Sequence, residues 1–178
     1  MNKATKFISG NEYNLSQLFG GDNKIVIPDL QRDYCWGDNA FVSSNDKKPR
    51  ELVSDFVKNI IELYEENKSL KVTLGLIYGY EQPQNHIQIC DGQQRLTTLF
   101  LLLGYINIKV GGKFNTYIIS EKEMNDDYEP HLQYAIREST LYFLSDLARK
   151  VFVEKTTSIG DIISSNWYFN EYKEDASI

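Results

Sequence analysis

Between His86 and Leu103 the spacing of apolar residues changes abruptly. Ile87 and Ile89 alternate with His86, Gln88 and Cys90, the two-residue period of a strand with one buried face. From Leu96 through Leu99-Phe100-Leu101-Leu102-Leu103 to Ile106, nearly every side of a helix would be apolar, which predicts a helix enclosed by the protein interior. Asp91-Gly92 lies between the two and carries turn chemistry. The pattern therefore predicts a strand, a tight turn and a buried helix, with polar Gln93, Gln94 and Arg95 held in the helix's first turn.

The remaining periodicities fill in the fold around this unit. Asn14 and Gln17 have capping-box spacing, so Leu15 to Phe19 reads as a brief helix stopped at Gly20-Gly21. Lys24 to Ile27 reads as a strand ended by Pro28, and Asp38 to Lys48 as a polar loop. Leu52, Val53, Phe56, Val57, Ile60, Ile61 and Tyr64 recur at helical spacing, which predicts an amphipathic helix packed against the sheet. Lys71 to Tyr80 alternates as a strand, with Val72, Leu74, Leu76 and Tyr78 on one face, and forms a hairpin with His86 to Cys90. Gly75 within it marks close approach of a neighbour or a ligand. Gly111-Gly112 is a turn, Lys113 to Ile119 an extended segment, and His131 to Val153 a long helix burying Leu132, Ala135, Ile136, Phe143, Leu144 and Leu147.

The chemistry concentrates at the strand-turn-helix unit. The first N–H groups of a helix lack intrahelical partners and sit at the positive end of its dipole, so this junction suits a phosphate. Gly92 permits close approach to the backbone, Arg95 offers a fork-shaped charge, and Gln93 and Gln94 can donate through their amides or orient a water. Asp91 would repel phosphate and is better cast as a ligand of an accompanying Mg²⁺ or as a group polarising water. The structural alternative is that Asp91 caps the helix and Arg95 pairs with a carboxylate. Gln31, Arg32, Tyr34 and Trp36 could stack on a base and grip a phosphate as a second wall of the same pocket. Equally, Tyr34 and Trp36 could pack into the core while Arg32 makes an internal ion pair.

Composition bounds these readings. A chain of 178 residues with 42% apolar content has room for one domain with a sizeable core. No apolar run approaches the length of a membrane span and the N-terminus lacks a signal-peptide core, so a cytoplasmic location is expected. Cys35 and Cys90 then read as small apolar residues, and His86 as a surface residue. The net charge of −6, from 25 acids against 19 bases, supplies no global field for DNA, and Lys47-Lys48-Pro49-Arg50 reads as a solvated loop. The acidic stretch Glu121 to Glu129 lacks the spacing and glycine of an EF-hand. Trp167-Tyr168-Phe169-Asn170-Glu171-Tyr172 is dense in aromatics just before the last residue, which is expected of a chain whose covering structure follows.

Ile27-Pro28-Asp29-Leu30-Gln31-Arg32-Asp33-Tyr34-Cys35-Trp36 followed by Asp91-Gly92-Gln93-Gln94-Arg95-Leu96-Thr97-Thr98-Leu99 resembles the N-terminal domain of GmrSD-type restriction endonucleases, which are prokaryotic defence proteins. Leu132 to Leu147 with Arg137, and Asn166-Trp167-Tyr168 through Asp175, extend the likeness. The resemblance implies an α+β fold: a ParB/sulfiredoxin-like small mixed sheet flanked by helices, with additional C-terminal helices. It divides the chain into a nucleotide-binding core, 1–120, and a helical extension, 121–178, truncated from a longer protein. It further implies Mg²⁺-dependent hydrolysis of a nucleoside triphosphate, with Asp91, Gln93, Gln94 and Arg95 catalytic and Asp91 on the metal. Gln31, Arg32, Tyr34, Trp36, Gly92, Arg95, Thr97 and Thr98 would bind the nucleotide. The sulfiredoxin motif carries its reactive cysteine where Gln93 stands, so sulfiredoxin chemistry is excluded. Expected partners are the nucleotide, DNA through the full-length protein, and a C-terminal nuclease of HNH type as domain or subunit, with a second copy of the chain as an option and no membrane. A regulatory domain that senses nucleotide or DNA without hydrolysis is the alternative, and DNA cleavage by the motif itself a further one.

Overall fold

The computed structural model describes residues 6–36, 49–69, 71–120, 129–175 and 178. The expected polar loop, the Lys47-Lys48 pair and most of the acidic stretch fall outside them. The order is α1 (Leu15–Leu18), β1 (Lys24–Ile27), α2 (Pro49–Glu66), β2 (Tyr78–Glu81), β3 (His86–Asp91), α3 (Gln93–Lys109), β4 (Ile119–Ser120), β5 (Glu129–Pro130), β6 (Leu132–Tyr134), α4 (Glu138–Asp146) and α5 (Asn170–Lys173). This is the expected α+β class: a small mixed sheet flanked by helices.

β1 is central, and all four of its residues are buried, as suits a strand covered on both faces. It runs parallel to β3 on one side and β6 on the other, while β2 joins the outer edge of β3 as an antiparallel hairpin strand. The three parallel strands therefore end on the same side of the sheet. β1 leads into Pro28–Trp36, β3 into Asp91-Gly92, and β6 into the segment holding Arg137. Ligands of open sheets with parallel strands gather at these carboxyl ends.

α3 packs its Leu96 and Phe100 onto Ile25, Ile27 and Ile89, with Phe19 edge-on to Phe100 at 5.3 Å between ring centroids. Farther along, Gly104 lies against the Phe152 ring so closely that a methyl group there would overlap it. Phe152 belongs to the π-type turns, Leu147–Val153, into which α4 widens. Buried Asn107 secures the end of α3 by donating to Asn115 Oδ1 at 2.8 Å and the Phe152 carbonyl at 2.9 Å, and by accepting from the Phe114 N–H at 2.7 Å.

Several expected elements take a different form. The segment from Lys71 to Ile77 is not a strand; pairing begins only at Tyr78, and Val72, Leu76 and Ile77 are exposed. Its carbonyls are drawn away from any ladder by Arg95, as described below. His131 to Val153 is not one helix. Leu132 and Tyr134 are buried on either side of half-buried Gln133 and pair with β1, and the helix starts at Glu138. Lys113 to Ile119 forms a 3₁₀ turn at Asn115–Tyr117 before β4. α2 makes no extensive contact with any strand among the described residues, and Leu52, Ile61 and Tyr64 on it are exposed. Its recorded ring contact is Phe56 edge-on to Trp36, 5.6 Å between centroids.

The division expected near residue 120 is spanned by both sheets, since β6 pairs with β1 and β5 with β4. Buried Lys24 ties the two sheets together, donating to Ser120 Oγ and, at 3.0 Å, to the Glu129 carbonyl. The imidazole of His131, wholly buried beside it, lies 2.6 Å from the Asn23 carbonyl and 3.1 Å from that of Thr116. Near the end of the chain, Trp167 and Tyr172 are covered by the protein's own Phe143. Among the described residues no helix is long and apolar enough to cross a membrane.

Candidate functional site

The turn between β3 and α3 is built as the alternation of Ile87 and Ile89 and the following glycine require. Gly92 adopts φ 98° and ψ 4°, a left-handed conformation open to glycine at little cost, and this directs Gln93 into the first turn of α3. Among the described residues no side chain caps that helix, and its first turn holds no acid. The four or so orphan N–H groups of a helix start thus keep their positive field at the carboxyl ends of the parallel strands.

The two glutamines are turned inward, each 4% exposed. Gln94 clamps the loop that follows β1: its Nε2 donates to the Asp33 carbonyl at 2.9 Å and its Oε1 accepts from the Cys35 N–H at 3.1 Å. Gln93 Nε2 donates to the Arg32 carbonyl at 2.6 Å, which fixes the amide's orientation. Its Oε1 is buried with no hydrogen-bond partner among the described residues. A buried acceptor left unpaired costs about 1–3 kcal/mol, so a donor from water or ligand would find a prepared position there.

The threonines and Tyr34 complete the attachment. Tyr34 Oη lies 3.0 Å from Thr98 Oγ1, burial raises the phenol's pKa, and Thr98 also donates to the Gln94 carbonyl at 2.8 Å. Thr97 pairs with the buried Tyr134 hydroxyl at 2.5 Å. The Tyr34–Thr98 pair thus holds the loop to α3 from within, the Thr97–Tyr134 pair ties α3 to β6, and Trp36 leans on Phe56 of α2. Gln31 is half-buried at the turn where its N–H reaches the Pro28 carbonyl at 3.0 Å.

The two arginines of the motifs differ. Arg95 donates through Nη1 to the Leu74 carbonyl at 2.6 Å and through Nη2 to the Leu76 carbonyl at 2.7 Å, and Nη2 lies 3.6 Å from Asp91 Oδ2. The Gly75 reading is thereby resolved in favour of a neighbour: at φ 106°, a side chain there would strike the Arg95 guanidinium. Ile77 of the same strap rests beside Gly92. Arg32 is exposed, and its side chain makes no hydrogen bond or ion pair among the described residues. Its free guanidinium stands in the loop whose carbonyl Gln93 holds.

The family described as GmrSD restriction endonuclease, N-terminal domain, matches residues 15–177. The chain belongs to that family. It is a GmrSD N-terminal domain, and so a component of a defence-type restriction endonuclease. No curated protein and no solved structure matches it.

Within this GmrSD domain the sequence allowed Arg137 either a reach to the nucleotide or an exposed ion pair, and the structure shows ion pairs that tie the two walls from behind. Arg137, just ahead of α4, forks between Asp33 Oδ2 at 3.1 Å and Asp175 Oδ1 at 2.9 Å. The short stretch Leu132-Gln133-Tyr134, apolar on one alternate face, is the signal that would have placed Arg137 at a strand end rather than along a helix. Both cysteines are free and half-buried. His86 is half-buried, with Nδ1 3.0 Å from the Gln84 carbonyl at the hairpin turn. Among the described residues no three His, Cys, Asp or Glu side chains are grouped to hold a metal. Asp91, 74% exposed at the strand end, is the carboxylate available there. A lone carboxylate could hold Mg²⁺, an ion that seldom uses an all-protein cage, only with oxygens supplied from outside the protein.

Proposed function

We propose that this GmrSD domain binds a nucleoside triphosphate at the start of α3 and hydrolyses it. The observation that carries the reading is the uncapped N-terminus of α3 at the carboxyl ends of the parallel strands, with the unpartnered Oε1 of Gln93 beside it. The helix N–H groups and Gly92 would cradle phosphate. Arg32, uncommitted among the described residues, would neutralise it, supported by Gln31 in the same loop. Gln93 Oε1 would accept a hydrogen bond from the attacking water, aligning its lone pair on the terminal phosphorus. Asp91 would hold Mg²⁺ together with phosphate oxygens, and that ion supplies charge neutralisation when bound. Gln94, Tyr34 and Thr98 contribute by fixing the loop, and Thr97 by seating α3 against β6. Phosphoryl transfer needs positioning and charge more than covalent chemistry, and these residues offer both. The ParB/sulfiredoxin-like core that the motifs' resemblance to the GmrSD family implies would suit the same reading. DNA would be met by the remainder of the endonuclease, in keeping with this chain's net charge of −6.

One observation favours a second reading, a regulatory domain that binds without turnover. Arg95 is committed to the carbonyls of Leu74 and Leu76, and Asp91 lies within ion-pair distance of it, so two motif charges are engaged with the protein itself. The test is phosphate release from the four common triphosphates with Mg²⁺, comparing the wild type with Asp91→Ala, Gln93→Ala and Arg32→Ala. Hydrolysis that falls about a hundredfold in the variants, as for loss of a preorganised electrostatic contact, supports the enzyme. Binding with no release supports the regulatory domain, and no binding by the folded protein removes both.

A further inference from the structure

The loop that forms the outer wall of the site is gripped from two directions. From α3, Gln93 holds the Arg32 carbonyl, while Gln94 holds the Asp33 carbonyl and the Cys35 N–H. From the opposite direction, Arg137 Nη2 holds the Asp33 carboxylate at 3.1 Å. The other arm of the same guanidinium reaches Asp175, whose side chain is 1% exposed although it lies far along the chain. Asp175 also accepts from Ser139 Oγ at 2.5 Å and Thr140 Oγ1 at 2.6 Å. A carboxylate so buried must be satisfied by several donors, and this set fixes it firmly to the start of α4.

Arg137 suits this position for a physical reason. It is the N-cap of α4 with extended backbone, φ −144° and ψ 147°, so its side chain leaves the helix start while Ser139 and Thr140 point at Asp175 from the first turn. A planar guanidinium can serve two carboxylates at once with fixed geometry, whereas an ammonium cannot hold both in one orientation. β6 ends immediately before Arg137, so the fork leaves the same side of the sheet as Asp91 and the 31–35 loop.

We infer that Arg137 is a positioning residue through which the buried carboxylate of Asp175 sets the 31–35 loop against the N-terminus of α3. The docking of the segment around α5 and the shape of the site wall are then one mechanical unit. A change that loosens Asp175 loosens the backbone from Arg32 to Cys35 by way of Arg137.

The test is amide hydrogen exchange on the full chain without ligand, so its outcome is separate from the nucleotide reading. The Cys35 amide, bonded to Gln94, reports the loop, and the Leu99 and Phe100 amides within α3 report the core. Arg137→Met and Asp33→Asn should each speed Cys35 exchange at least tenfold and leave the core amides within twofold of wild type. Asp175→Asn, on the other arm of the Arg137 fork, should speed it at least threefold. Arg137→Lys should fall between wild type and Arg137→Met, and Arg137→Met combined with Asp33→Asn should add little to either alone. The inference is overturned by unchanged Cys35 exchange in Arg137→Met. Equal acceleration of loop and core amides also overturns it, because Arg137 would then serve global stability alone.

Discussion

Replacing Gln94 with methionine tests whether this motif residue acts as a clamp. The change keeps length and burial but removes both polar atoms from a side chain that is 4% exposed. The Asp33 carbonyl loses a donor at 2.9 Å and the Cys35 N–H loses an acceptor at 3.1 Å. Each hydrogen bond contributes about 1 kcal/mol net, and leaving a part-buried group unpaired adds about 1 kcal/mol or more, so the total is on the order of 3 kcal/mol. For a chain of this length that corresponds to a fall in Tm on the order of 10 °C. Gln94→Glu sharpens the test. The introduced carboxylate can still accept from Cys35 but faces the Asp33 carbonyl without a proton. Folding then favours the protonated form, the folded pKa rises, and the deficit shrinks as the pH falls through it. The assay is thermal and urea unfolding of wild type and both variants at neutral pH and near pH 4.5. A Tm for Gln94→Met within about a degree of wild type would refute the clamp and return Gln94 to a role in chemistry.

Other consequences follow from the packing. Burial first, and then the charge of Lys24, pushes the His131 pKa down to about 4 from 6.5, against the pull of its backbone hydrogen bonds. A depressed folded value means that its stabilising contribution is present above about pH 6.5 and is lost as the pH falls toward 4, amounting to about 3 kcal/mol at the end. Unfolding free energies of wild type minus those of His131→Gln should show that slope, and a difference independent of pH would contradict it. Gly104→Ala should lower stability by about 1–3 kcal/mol despite alanine's better helix propensity, because the methyl meets the Phe152 ring. Adding Phe152→Leu should recover part of the loss, and a stabilised Gly104→Ala would refute the contact.

What was legible in the sequence was local. Asn14 and Gln17 form the expected capping box, β1 ends at Pro28, and the alternating Ile87 and Ile89 lead through Gly92 into α3 as their spacing implies. The failures share a cause: backbone groups with partners far away in sequence. Lys71 to Ile77 alternates like a strand, yet Arg95 takes the carbonyls of Leu74 and Leu76. Leu132 fits a helical repeat with Ala135 and Ile136, but the edge of β1 pairs with Leu132 to Tyr134 and draws them into the sheet. At the site, residue type signalled the location, while the division of labour did not show. Gln93 and Gln94 are adjacent and identical, and only the fold gives one both its partners and leaves the other an open acceptor. Arg32 and Arg95 likewise differ through the strap that engages one of them.

The most direct measurement is an amide chemical-shift titration with Mg²⁺ and a non-hydrolysable triphosphate analogue. A saturable response centred on the amides of Gly92 to Arg95 and on Arg32, weakened at least tenfold by Arg32→Ala, is the expected result. Shifts elsewhere in the fold, or none at millimolar ligand with the protein folded, would contradict a nucleotide site at the start of α3.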